Sequence, residues 1–229
     1  LAFEWAAMSA PHARRVMGGA VSFGVVAAVV SAHFGVMSVA FIMLVFGAAA
    51  AGVYARSRGQ EALDAAYGVL YLGWPSVLLI WLRGVDSPVG LHWTVLVFAV
   101  AWSADILAYL AGSTFGGPKL WPRFSPNKTW SGFIGGILAG AVAGAVMTAW
   151  VDMGALTVVW GAILGLAAAL ATMAGDLWES ALKRRFGVKD AGNTIPGHGG
   201  LLDRVDGLMF AVVVVAAGRL MVLMLEQGA

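Results

Sequence analysis

The sequence predicts an all-α, polytopic integral membrane protein with about seven transmembrane helices and two charged loops. Three observations lead to this fold class. Of the 229 residues, 60% are hydrophobic and only 11% are charged, with a mean hydropathy of +0.85, whereas soluble domains are about 25% charged. Apolar runs long enough to cross a bilayer recur along the chain. Finally, 12 of the 14 Lys and Arg residues fall on one side of the resulting topology.

The lengths of the apolar runs are close to the roughly 20 helical residues that span a bilayer. We predict spans at 16–32, 35–55, 65–82, 91–110, 131–150, 154–174 and 207–225. The connections 111–130 and 175–206 stand out because the other loops are short. Small residues let membrane helices approach closely, and we assign only this packing role to the glycines at helical spacing in the fifth and sixth spans, Gly136, Gly140, Gly144, Gly161 and Gly165.

The distribution of basic residues predicts orientation. Only Arg83 and Arg219 lie on the poorer side, so the positive-inside rule puts the richer side, with both long loops, in the cytosol and the C-terminus outside. Because the basic residues are spread along the chain, we expect no nucleic-acid partner. Residues 1–15 lack the segment order of a signal peptide. The absence of cysteine excludes disulfides and thiolate metal sites.

The loop "GDLWESALKRRFGVKDAGNTIPGHGGLLDRVD", residues 175–206, concentrates charge between two apolar spans. Its first part continues the sixth span as a helix, with Asp176 and Lys183 on one face. Asp203 and Asp206 then begin the last helix on one side. Carboxylates suit a hard cation that also binds phosphate, and Lys and Arg neutralise the remaining phosphate charge. The alternative is an ordinary solvated loop whose charges cap and pair locally.

The same loop resembles the signature of the phosphatidate cytidylyltransferases, the CDP-diacylglycerol synthases. That pattern runs Ser, a hydrophobic residue, Lys-Arg, four variable residues, Lys-Asp, a small residue, Pro-x-His-Gly-Gly and Asp-Arg-x-Asp. Every fixed position is occupied in this sequence, by Ser180, Lys183, Arg184, Lys189, Asp190, Pro196, His198, Gly199, Gly200, Asp203, Arg204 and Asp206.

The other long loop resembles a second stretch of the same family. In "WSADILAYLAGSTFGGPKLWPRFSPNKTWSGFIGG", residues 102–136, an Asp-x-x-Ala-Tyr segment leads to Ser-Pro-x-Lys-Thr-Trp-x-Gly. The matching residues are Asp105, Ala108, Tyr109, Ser125, Pro126, Lys128, Thr129, Trp130 and Gly132. The resemblance covers roughly 101–225. We therefore assign 1–100 to N-terminal packing helices with a possible role in oligomerisation, and 101–229 to a catalytic transmembrane region that carries both motifs.

Two residues keep alternative roles. Asp105 lies inside an apolar run, where a carboxylate is costly and is a functional candidate by default. Its alternative is to reach the interface or to pair with Lys128 or Lys119. His198, between two glycines, either contacts nucleotide phosphate or shapes the loop by hydrogen bonding.

The resemblance implies that CTP and phosphatidic acid give CDP-diacylglycerol and pyrophosphate, at a bacterial-type inner or plasma membrane. It implies a homodimer, and Mg²⁺ with a second cation left open. Asp176, Asp203 and Asp206 are the predicted metal ligands. Predicted catalytic residues are Asp105, Lys128, Lys183, Arg184, Asp190 and Arg204. Predicted substrate-binding residues are Ser125, Thr129, Ser180, Lys189, His198, Gly199 and Gly200. Asp203→Asn is expected to abolish turnover while the protein remains folded and inserted.

Two other functions remain open. A CTP-dependent polyprenol or dolichol kinase, distantly similar to this family, would release CDP in place of pyrophosphate. A cation-coupled transporter would use Asp105 as an intramembrane ion site. The gathering of charge in the loops disfavours the transporter, as does the lack of interrupted helices in matching halves.

Overall fold

The computed structural model describes residues 1–84, 88–122, 125–197 and 199–228. Within them, seven helices are long and apolar enough to cross a membrane, which confirms the predicted fold class. The order is α1 (Ala2–Ser9), a 3₁₀ turn (Pro11–Ala13), α2 (Arg14–His33), α3 (Met37–Ser57), α4 (Ala62–Arg83), α5 (Pro88–Phe115), β1 (Lys119–Trp121), β2 (Ser125–Thr129), α6 (Trp130–Trp150), α7 (Val158–Arg185) and α8 (Leu202–Gly228).

Two features depart from the predicted elements. The short α1 precedes the first span, and an antiparallel ribbon of β1 and β2 occupies the first long loop. The helices also continue beyond their apolar runs. α5 extends to Phe115 and α7 to Arg185, which confirms that the sixth span emerges as a charged helix. α8 begins at Leu202, so Asp203 lies in its first turn as predicted.

The chain forms two compact units, Leu1–Trp81 with Leu182–Val205 and Leu82–Ala181 with Asp206–Ala229. In the first unit, α1 is anchored by Trp5, which is fully buried. Its indole N–H donates to the carbonyl of Asp64 at 2.9 Å, and its ring contacts Tyr67 and, edge-on, Phe186. A Cβ on Gly68 would lie 2.3 Å from the indole nitrogen, so the glycine makes room for this ring.

In the second unit, α6 packs through a stripe of buried glycines. An added Cβ on Gly144 would lie 2.1 Å from the carbonyl oxygen of Gly161, and one on Gly140 would lie 2.8 Å from that of Gly165. A Cβ on Gly136 would lie 2.8 Å from the carbonyl oxygen of Ala104 on α5. Backbones at this distance exclude any side chain, which confirms the packing role predicted for these glycines.

Candidate active site

The second unit encloses a cavity of about 630 Å³ at one end of its helices. Its walls come from α5, the ribbon, α6 and α7. Five of the predicted site residues line it: Asp105, Ser125, Lys128, Thr129 and Asp176. The cavity therefore joins the second family stretch to Asp176, the first acidic residue of the signature loop (175–206), although Thr129 and Asp176 lie 47 positions apart in sequence.

Lys128 supplies a cation at this cavity. Its ammonium Nζ lies 2.5 Å from Oδ2 of Asp176, and both side chains are partly buried, at 30% and 20% exposed. One alternative for Asp105 is a pair with Lys128. In the structure, the Lys128 ammonium donates to Asp176. Asp105 lines the same cavity from α5, with Tyr109 one turn further along.

Asp176 and Asp206 meet where α7 and α8 cross. A Cβ on Gly175 would lie 2.6 Å from the carbonyl oxygen of Asp206, and one on Gly207 would lie 2.7 Å from Oδ1 of Asp176. The two glycines thus permit a backbone approach that no larger residue would allow. The carboxylates of Asp176 and Asp206 that flank them are close enough to interact electrostatically, and the amide of Gly207 donates to Oδ1 of Asp206 at 2.8 Å.

This pair of carboxylates fits a divalent cation. Two neighbouring ionised carboxylates repel each other unless a proton or a cation lies between them. Mg²⁺ is typically held by one or two carboxylates together with substrate phosphate. Among the residues the structure describes, no three His, Asp or Glu side chains form a ready metal cage. Asp176 and Asp206 therefore suit a metal that completes its coordination with substrate and water.

Thr129 has a structural role beside its place in the cavity wall. It is buried and caps α6, since its hydroxyl oxygen accepts from the amide of Gly132 at 3.2 Å. Ser131 donates to the carbonyl of Gly116 and lies 3.0 Å from the Thr129 hydroxyl. The cap fixes where α6 begins, and Lys128 is the residue directly before it.

The first unit contains most of the signature loop, and Asp203 organises it. Oδ1 of Asp203 accepts from the ammonium of Lys183 at 2.7 Å. The amide of Gly200 donates to Oδ2 at 2.7 Å, and the amide of Ala191 lies 3.1 Å from each oxygen. The ion pair is largely buried, with Asp203 11% and Lys183 14% exposed.

Gly199 allows the loop to fold back towards Asp203. Its φ of +80° lies in the left-handed region, and an added Cβ would lie 2.9 Å from Oδ2 of Asp203. Its carbonyl accepts from the amide of Ile195 at 2.9 Å, which closes a tight bridge. Glycine at this position is thus required by both backbone conformation and space.

The remaining predicted residues lie on α7, in the loop and at the start of α8. Arg184 is exposed and donates to the carbonyl of Val188, where α7 ends. Ser180 on α7 is half-buried. Lys189 and Asp190 in the loop are exposed, as is Arg204 at the start of α8. His198 lies outside the described residues. The structure brings Asp176 and Asp206 together, and the inclusion of Asp203 in one ligand set stays a prediction.

Sequence reasoning missed Glu4. This carboxylate is 3% exposed and accepts two hydrogen bonds from the backbone at the start of α8. The available signal was a lone acidic residue beside a tryptophan in the apolar run "LAFEWAAM". A charged residue in such a setting needs a partner, but nothing local in the sequence indicates which one.

Known proteins resemble the chain along most of its length. The profile of the cytidylyltransferase family matches residues 1–222. A phosphatidate cytidylyltransferase from Brucella abortus biovar 1 (strain 9-941) is 50% identical over 147 residues, which cover 64% of this chain and 53% of the relative. Proteins of the same name from Staphylococcus saprophyticus and Staphylococcus aureus (strain COL) are each 40% identical, over 151 and 152 residues, covering 66% of this chain and 57% of each relative.

The chain spans about half the length of the curated relatives it matches. The resemblance seen in the two loops is confirmed by these relatives and by the family profile. Since that profile covers nearly every residue, the chain belongs to the cytidylyltransferase family.

Proposed function

We propose that this chain carries the catalytic region of a phosphatidate cytidylyltransferase, which uses CTP and phosphatidic acid and releases CDP-diacylglycerol and pyrophosphate. The observation that carries the proposal is the cavity in which Lys128 binds Asp176 while Asp176 also contacts Asp206. A cation and a carboxylate in one partly buried cavity, with the carboxylate of Asp206 beside them, suit a reaction between phosphates. The names of the relatives supply the substrates.

In the proposed reaction, a phosphate oxygen of phosphatidic acid attacks the α-phosphorus of CTP. A bond forms between that oxygen and the α-phosphorus, the bond from the α-phosphorus to the bridging oxygen of the β-phosphate breaks, and pyrophosphate leaves with the electron pair. A phosphomonoester has its second pKa at about 6, so the attacking group is anionic at neutral pH. No strong general base is required, and the task of the protein is electrostatic.

The side chains divide this task. Lys128 and Lys119 line the cavity and supply positive charge towards the phosphates. Asp176 and Asp206 are the proposed Mg²⁺ ligands, and Asp203 remains a predicted third ligand from the family resemblance. When bound, Mg²⁺ neutralises phosphate charge and stabilises the leaving pyrophosphate. Lys183, Arg184, Lys189 and Arg204 keep their predicted role as phosphate-binding cations.

The proposal includes the orientation and assembly predicted from the sequence. With the basic residues in the cytosol, soluble CTP reaches the loops from water and the lipid enters from the bilayer. We also propose that the protein forms the homodimer that the family resemblance implies. Crosslinking of the purified protein in nanodiscs tests it, with a covalent dimer as the expected product and a monomer at every crosslinker dose as the contrary result.

The function is tested by product analysis. Purified protein in detergent with CTP, phosphatidic acid and Mg²⁺ is expected to release pyrophosphate and CDP-diacylglycerol in equal amounts. Removal of the metal with EDTA is expected to stop the reaction, and added Mg²⁺ to restore it. Release of CDP with a phosphorylated polyprenol would show the kinase. Ion-coupled uptake by proteoliposomes without nucleotide turnover would show the transporter.

Lys128→Met is expected to lower kcat by roughly a hundredfold, because it removes a preorganised cation from the cavity. It also leaves Asp176 without its ion-pair partner. Lys128→Arg is expected to retain more activity because the positive charge remains. Initial rates of pyrophosphate release measure the effect, with Arg83→Met, which changes an exposed cation outside the cavity, as the matched control. Equal rates for the methionine variant and the control would show that Lys128 has no role in the reaction.

A further inference from the structure

Glu4 sits at the centre of a set of contacts that the proposed reaction does not use. It lies on α1, is 3% exposed and is followed by the fully buried Trp5. Because Trp5 is held by its hydrogen bond to Asp64 and by three aromatic neighbours, α1 is fixed in place. The Glu4 carboxylate therefore has a defined position.

The partners of this carboxylate are backbone amides at the start of α8. Oε1 accepts from the amide of Leu201 at 2.8 Å, and Oε2 accepts from the amide of Leu202 at 2.7 Å. The first amides of a helix have no partner inside the helix, and the positive end of the helix dipole favours an anion there. Glu4 thus caps α8 although it lies 198 residues from Leu202 in sequence.

The carboxylate is held in its charged form. Burial opposes its ionisation, but hydrogen bonds from the side chain of Thr194 and from the amides of Leu201 and Leu202 outweigh that cost. Together they keep the pKa of Glu4 below its usual value of 4.5. A charge-assisted hydrogen bond is roughly twice as strong as a neutral one, so an amide at this position would hold the loop less firmly.

The loop backbone is shaped around Glu4. A Cβ on Gly192 would lie 3.0 Å from Cγ of Glu4, and one on Gly200 would lie 3.1 Å from its Cδ and Oε1. The amide of Gly200 donates to Asp203. Consecutive amides at the end of the loop are therefore divided between two carboxylates: that of Gly200 binds Asp203, and those of Leu201 and Leu202 bind Glu4.

We propose that Glu4 is a positioning residue, which holds the end of the signature loop and the first turn of α8 in the conformation that orients Asp203. The contacts of Glu4 in the first unit support its role in holding the loop. Its kinetic consequence rests on the proposed function. Glu4 acts through the backbone and through Asp203, and it has no role of its own in the chemistry.

The test replaces Glu4 with glutamine, which keeps the size of the side chain and removes its charge. Amide hydrogen exchange of peptides covering 190–202 is measured by mass spectrometry in nanodiscs, and kcat and KM for CTP are measured beside it. We expect exchange in this segment to be roughly tenfold faster. We expect kcat to fall roughly tenfold while KM changes much less, since misplaced groups lower the rate of the chemical step. Glu61→Gln, the same charge change on an exposed side chain of the first unit, is the matched control.

A second variant keeps the inference testable if Glu4→Gln does not fold. Glu4→Asp retains the charge but draws it back from Leu201 and Leu202, and it is judged by the same two measurements. Exchange no faster than in the Glu61→Gln control would overturn the positioning role, as would faster exchange with an unchanged kcat. If the wild-type protein makes no CDP-diacylglycerol, the proposed function fails, and the exchange measurement alone then decides whether Glu4 holds the loop.

Discussion

Asp176→Asn is expected to lower turnover by at least about a thousandfold, because it removes a metal ligand where the stabilisation of phosphate charge is worth several kcal/mol. The substitution also leaves the ammonium of Lys128 facing a neutral amide in place of a carboxylate 2.5 Å away. Asparagine has nearly the shape of aspartate, so α7 is expected to keep its crossing with α8. Pyrophosphate release at saturating CTP and Mg²⁺ measures the loss.

The matched control for this variant is Asp152→Asn in the same unit. Asp152 is exposed, and its Oδ1 accepts from the amide of Gly154 at 2.9 Å, a contact that an asparagine oxygen retains. The control is expected to turn over at the wild-type rate. An Asp176→Asn protein that matches it at high Mg²⁺ would show that Asp176 is not a ligand.

Asp203→Asn is expected to have the second large effect, on turnover and on the order of the loop. The substitution breaks a largely buried ion pair with Lys183 and weakens the bonds from the amides of Ala191 and Gly200. Removing one partner of a buried pair costs about 3 kcal/mol or more, because it leaves a buried charge without compensation. The seven spans are expected to stay inserted, since the affected contacts lie in the first unit at the ends of α7 and α8.

A double-mutant cycle measures the contribution of the Lys183–Asp203 ion pair to stability separately from the other contacts of the two residues. The thermal midpoint is measured for Asp203→Asn, Lys183→Met and the double variant. Because the two side chains contact each other, we expect the double variant to lose clearly less stability than the sum of the single losses. Additive losses would mean that the ion pair contributes nothing, and that Asp203 acts only through the loop amides.

The transmembrane helices could be predicted from sequence because a bilayer requires long apolar runs. Their ends could not. Outside the hydrocarbon region a helix no longer needs apolar residues, so α7 continues through Lys183 to Arg185 and α5 reaches Phe115. The ribbon was missed for a different reason: its second strand, "SPNKT", has a proline at its second position and lacks the alternation that marks a half-buried strand.

The composition of the site was easier to predict than its contacts. The motifs indicated Lys128 and Asp176, but their pairing spans 48 residues and depends on how α6 and α7 pack through glycines. The meeting of Asp176 with Asp206 depends likewise on the crossing at Gly175 and Gly207. Sequence spacing carries no information on such contacts, because they arise only when separate helices are brought side by side.

The cap of α6 couples the site to the surrounding lipid. Lys128 directly precedes Thr129, so no other residue separates the backbone that carries this ammonium group from the cap of a membrane-crossing helix. Such helices tilt to match the thickness of the hydrocarbon layer. We therefore expect a change in the tilt of α6 to move the backbone of Lys128, so that bilayer thickness would affect the electrostatics of the cavity.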